Sequence, residues 1–198
     1  MKNLILFITF ISVLFSNTLK SQEYFKFGKV EKEDFDLEAY REKYPEAEAV
    51  VIGDIGIIEF TLNKKSLNFE YNLTKITRYM VLSEEGVDYG DISIPYFASD
   101  KSQDRIQSFR AYVHNIESGK VKRHRIKRRA GYILDEEKYY KTLNYALPSI
   151  RPGTIFEVKY KLKSERIEIL PSWHFQRTIP VEYSELSLDL PSAFSYRM

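Results

Sequence analysis

Seven of the ten residues from Lys120 to Arg129 are basic: Lys120, Lys122, Arg123, Arg125, Lys127, Arg128 and Arg129, with His124 among them. Such a run can raise a local potential that holds lipid phosphates, an acidic glycan or an acidic partner surface. On a strand the cluster divides, with Lys122, His124 and Ile126 on one face and Arg123, Arg125 and Lys127 on the other. The competing reading is an edge hairpin shielded from aggregation by charge. The acids Asp135, Glu136 and Glu137 close behind favour it. Trp173, the only tryptophan, has the shape to stack on a sugar ring, but a lone tryptophan among aromatics is more often packed in a core.

Other chemistry is sparse. The chain has no cysteine, which excludes disulfides, zinc thiolates and a cysteine nucleophile. His114, His124 and His174 lie far apart with no metal-binding spacing. Asp88, Asp91, Asp100 and Asp104 lack the regular spacing and glycine of a calcium loop and read as solvated acids. There is no phosphate-cradling glycine loop and no serine nucleophile elbow. We therefore assign no catalytic, metal-binding or cofactor-binding residue and expect no cofactor.

The elements that would position these residues begin after a leader. Met1-Lys2-Asn3 precedes an apolar run from Leu4 to Phe15, broken only by Thr9 and Ser12, and then Ser16-Asn17-Thr18. This is the layout of a secretory signal peptide, and the run falls short of the roughly 20 residues a membrane-spanning helix needs. Cleavage after Ser21 leaves Gln22 first and predicts an exported protein, periplasmic or extracellular, without a transmembrane anchor. An exported domain is not expected to meet nucleic acid. The net charge is +2, and the leader carries Lys2 and Lys20 without an acid, so the mature part is neutral.

From 22 to 48 the chain is a charged lead-in, read as one or two short helices ended at Pro45. From 49 to 198 it changes to strands and turns, as 15 Tyr and 13 Phe favour. Ala49 to Gly53 and Ile57 to Leu62 read as a hairpin around Asp54-Ile55-Gly56. Leu67 to Leu82 reads as a long strand whose alternation falters near Thr74 to Thr77, predicting a bend or bulge there. Tyr89 to Tyr96 is a further strand. Ile106 to Ile116 and Val121 to Arg128 flank Glu117-Ser118-Gly119-Lys120 as a second hairpin. Tyr132 to Tyr145 reads as a short helix or a loop.

Ile150-Arg151-Pro152-Gly153 has the residues of a tight turn. The strand Thr154 to Leu162 follows, with Phe156, Val158, Tyr160 and Leu162 on one face. Trp173 to Ile179 and Glu182 to Leu190 complete about nine strands, so the fold class is all-β, an antiparallel β-sandwich. Residues 190–198 are still apolar and aromatic, from which we expect the native chain to continue.

Several stretches in order resemble a bacterial family of Bacteroidetes type. They are Ala47-Glu48-Ala49-Val50-Val51, Gly86, Ile92 with Pro95-Tyr96, Ala146-Leu147-Pro148, Pro152-Gly153-Thr154-Ile155, and Glu157 with Tyr160. Trp173-His174-Phe175-Gln176, Ile179-Pro180-Val181 and Tyr183-Ser184-Glu185 follow. In that family a β-rich domain of unknown function precedes a transglutaminase-like catalytic domain bearing Cys, His and Asp. The resemblance implies an exported β-sandwich leader domain whose partner is a transglutaminase-like domain, in cis or in trans. None of the family's nucleophile positions is present here.

Three functions are then open: a non-catalytic domain that docks against or presents substrate to the catalytic domain, the leader of a secreted peptidase or amide-modifying enzyme, or an independent module binding polyanions or cell-envelope glycan or protein.

Overall fold

The computed structural model describes residues 24–99 and 103–192. The signal peptide, Asp100 and the apolar end from 193 onward lie outside the described residues. The lead-in contains a 3-10 turn, Lys32–Asp34, and one helix, α1 (Leu37–Lys43). Asp36 caps α1, its carboxylate accepting from Ala39 N at 3.0 Å, and the helix stops at Tyr44, which Pro45 keeps out of the helical region.

Among the described residues nine strands follow: β1 (Ala49–Leu62), β2 (Phe69–Val81), β3 (Asp91–Phe97), β4 (Arg105–Glu117), β5 (Lys120–Ile126), β6 (Tyr132–Glu137), β7 (Tyr140–Ala146), β8 (Ile155–Ser164) and β9 (Ser184–Asp189). They form a six-stranded sheet, β5-β4-β8-β2-β1-β9, and a three-stranded sheet, β3-β7-β6. One core joins the sheets. Leu73, Phe109, Val113, Phe156 and Val158 of the larger meet Ile94, Tyr96 and Tyr145 of the smaller, and Phe109 stacks on Tyr145 with centroids 3.6 Å apart. The opposite face of the large sheet is covered at one end by the lead-in, where Val30, Phe35, Leu37 and Tyr40 pack on Val50, Met80 and Ile155. The all-β, two-sheet architecture stands as expected.

The differences from the sequence reading have physical causes. Ala49 to Leu62 is one strand and not a hairpin. Its pairing with β2 runs Val51 to Tyr79 and then Gly53 to Arg78, so Ile52 is an extra residue. A bulge changes which face each following residue points to. Ala49 and Val51 point inward before it; Asp54, Gly56 and Ile58 point inward after it, and the change of parity mimics a chain reversal. β2 itself pairs without interruption through Thr74 to Thr77, so the irregularity belongs to its neighbour.

Tyr132 to Ala146 forms the hairpin β6–β7 and not a helix or loop, because the sheet partner β3 supplies pairing that a local pattern cannot reveal. Pro95 is tolerated in β3 because β3 is an edge strand. Trp173 to Ile179 is not a strand but part of the crossover from β8 to β9. That crossover lets β9 join β1 in parallel, continued by a parallel bridge between Val51 and Val181, while the other strand pairs among the described residues are antiparallel.

Candidate functional site

β5 carries the basic run along the edge of the large sheet, after a turn in which Ser118 and Gly119 both take positive φ, 49° and 73°. Ile126 enters the core, which fixes Lys122 and His124 on the inner side and Arg123 and Arg125 on the outer. The cations are exposed but not equivalent. Arg123 donates to Gly28 O at 2.9 Å and lies over the Tyr112 ring, and Arg128 donates to Ile106 O at 2.7 Å and Gln107 O at 3.1 Å. These two brace backbone. Among the described residues the side chains of Lys120, Lys122, Arg125, Lys127 and Arg129 make no hydrogen bond or ion pair, while the backbone of Lys120, Lys122 and Arg125 pairs with β4 and Lys127 O accepts from Ala130 N.

Trp173 is half-buried. Its ring rests on Gly56, where an added Cβ would lie 2.5 Å from the ring, and its Nε1 donates to Ser184 Oγ at 3.0 Å. The structure does not bring it near the basic strand. β5 and β1 lie on opposite sides of β4, β8 and β2.

The charged groups that the fold does assemble were not singled out by sequence. Asp54, 1% exposed, points into the sandwich. Thr77 Oγ1 donates to its Oδ1 at 2.8 Å, Arg177 bonds Oδ2, and Lys75 Nζ lies 3.5 Å from Oδ2. Arg177 also donates to the Tyr79 hydroxyl at 2.6 Å, and Lys75 sits 4.6 Å from the centre of the Trp173 ring.

Lys75, Tyr79 and Arg177 line a cavity of about 330 Å³ between the sheets, with Tyr160 and Ile94 on its walls and Asp88 and Asp91 exposed around it. Burial, with Arg177 nearby, lowers the Lys75 pKa against the pull of Asp54. Burial raises Tyr160 and Tyr79, so both stay protonated donors. Two signals pointed here: a carboxylate inside an apolar strand, and inward polar residues at 75 and 77 that made the alternation of β2 falter.

A second buried cluster lies on the other face. Glu157 is fully buried and accepts from Arg78 Nε at 3.1 Å, Arg78 Nη2 at 2.7 Å and Gly28 N at 2.9 Å, while His114 Nε2 lies 2.9 Å from it. Arg78 Nη2 also donates to Lys29 O at 2.7 Å and Lys26 O at 3.1 Å. This cluster fastens the lead-in to the sheet. Asp104 also departs from its reading as a solvated acid, since it is 4% exposed and accepts from Phe97 N at 3.0 Å.

The family model of DUF3857, a domain of unknown function with a solved structure, matches residues 69–198. The chain belongs to this family. The DUF3857 match begins at the first residue of β2 and runs through both hairpins, the 151–154 turn and β9. Among solved structures the fold is similar to that of a Parabacteroides distasonis protein named as a candidate protease, with a TM-score of 0.53 and 13% identity over 74% of this chain. This chain spans 29% of the length of that protein. No curated protein matches. Among the described residues no helix is long and apolar enough to cross a membrane, and no group of three His, Asp or Glu is placed to hold a metal.

Proposed function

We propose that this DUF3857 chain is an exported, non-catalytic β-sandwich domain that docks against, or presents substrate to, a transglutaminase-like catalytic domain outside it. The observation that carries this reading is that a similar fold makes up 29% of a longer protein named as a candidate protease. The absence of cysteine supports a supporting rather than a nucleophilic part in such chemistry. Docking is further supported by an apolar strip on β6, an edge strand, where Tyr132, Ile133 and Leu134 are 54%, 57% and 48% exposed. Apolar edges of this kind are suited to a partner.

The test uses the purified chain with and without a transglutaminase-like domain encoded with it. The chain alone is expected to fold and to show neither peptide hydrolysis nor acyl transfer. It is expected to bind the catalytic domain, and Ile133→Asp to weaken that binding. Turnover by the chain alone, or no binding between the two, overturns the proposal.

A second reading, a module that binds polyanions such as acidic envelope glycans, is favoured by the five exposed cations on and after β5 that lack partners among the described residues. Its signature is binding that falls steeply with salt.

A further inference from the structure

We propose that the cavity between the two sheets is a binding site for a small zwitterion, a free α-amino acid with an apolar side chain. The inference goes beyond docking to a catalytic domain and does not depend on it.

The first support is a charge imbalance built into the inner wall. Lys75 and Arg177 are three-quarters buried and share the single carboxylate of Asp54. That carboxylate is already engaged through both oxygens, one by Thr77 and the other by the two cations. Two cations against one acid leave an excess positive charge in a region of low dielectric, where an uncompensated charge is costly. A ligand carboxylate beside Lys75 and Arg177 supplies the missing anion. The Lys75 ammonium has three donors; among the described residues its contacts are the Asp54 oxygen at 3.5 Å and the face of the Trp173 ring, so it has hydrogens to give. Burial, and then the neighbouring Arg177, lower the Lys75 pKa against the pull of Asp54, and a second carboxylate there would counter both.

The second support is the ring of groups further out. Asp88 and Asp91 line the same cavity but are exposed, so the site is cationic inside and anionic outside. This order repels dianions and polyanions and suits a ligand whose carboxylate enters first and whose ammonium remains near the rim. Ile92, Ile94 and Val158 line the same cavity and offer an apolar surface for a side chain. The volume of about 330 Å³ is at the small end of ligand pockets and fits a free amino acid.

The test titrates the full chain with L-leucine, with L-leucinamide, which lacks the carboxylate, and with 4-methylpentanoate, which lacks the amino group. Calorimetry gives affinity and NMR of the Lys75 side chain gives its titration midpoint. Leucine is expected to saturate and to raise the Lys75 midpoint, with leucinamide at least about tenfold weaker because a charge-assisted contact is lost. The methylpentanoate is expected to bind about threefold more weakly than leucine, the size of one exposed ionic contact.

Lys75→Met should abolish leucine binding. Asp88→Asn with Asp91→Asn, at exposed positions that leave the fold intact, should weaken leucine and leave the methylpentanoate unchanged. The site is refuted if nothing saturates below about 10 mM, or if leucinamide binds as well as leucine. Equal binding of leucine and methylpentanoate overturns the zwitterion assignment.

Discussion

Thr77 and Arg78 are neighbours in β2, yet their side chains enter two different charged clusters on opposite faces of the same sheet. Outside, Arg78 and Glu157 form a closed unit: one acid accepts from a guanidinium and a backbone amide, and the guanidinium also holds two carbonyls of the lead-in. Inside, Asp54 is divided between Lys75 and Arg177 beside a cavity, and the cations retain donors. Buried charge with its hydrogen bonds filled specifies structure. Buried charge with donors to spare, next to open space, is prepared for a ligand. The outer cluster is the latch of the lead-in and the inner one is the candidate site.

The largest effect that sharpens this contrast is expected from Arg78→Met. It leaves Glu157 buried without its main partner and should lower stability by about 3–5 kcal/mol, read from the urea midpoint. Trypsin should then cleave after Lys26 and Lys29, whose carbonyls Arg78 holds. Asp54→Asn should cost less, about 2 kcal/mol, because Lys75 and Arg177 each keep some solvent contact. An equal loss from the two substitutions would erase the distinction between latch and site.

Alkaline pH separates the clusters next. A lysine whose folded pKa lies below its ordinary 10.5 makes the unfolded chain the better proton acceptor between those two values, so stability rises with pH through that window. A tyrosine raised above its ordinary 10.0 keeps its proton in the folded chain after the unfolded chain has lost it. Its contribution is complete below 10.0 and is lost as pH climbs beyond it. Lys75→Met should flatten the rise and Tyr160→Phe should reduce the fall, both measured as melting temperature against pH. The smallest effect belongs to the exposed edge. Lys122→Gln with Arg125→Gln should shift stability by no more than about 0.5 kcal/mol, and a larger loss on urea unfolding would show that β5 is held by its charges.

Much of the scaffold was legible in local pattern. The alternation of Phe156, Val158, Tyr160 and Leu162 identified the inner face of β8. Ser118-Gly119 identified the β4–β5 turn, and Pro152-Gly153 a turn in which Gly153 takes a φ of 83° and Thr154 N donates to Arg151 O at 2.9 Å. The same patterns placed the basic residues on a two-faced edge strand. These features depend on neighbours in the chain, and short-range sterics and period-two burial decide them.

The candidate site was not legible in the same way. Asp54 read as a turn residue until the bulge at Ile52 turned it inward. Its partners come from β2 and from the crossover, and Arg177 is 123 residues away. Nor did sequence reveal that Glu157, on what read as the solvent face of β8, would be sealed by Gly28. Sequence alone determined the all-β class, most of the strands and the lack of a thiol nucleophile. Tertiary structure decided which charges are buried together, because a strand's pattern says which face a residue occupies, and only packing brings distant faces into contact.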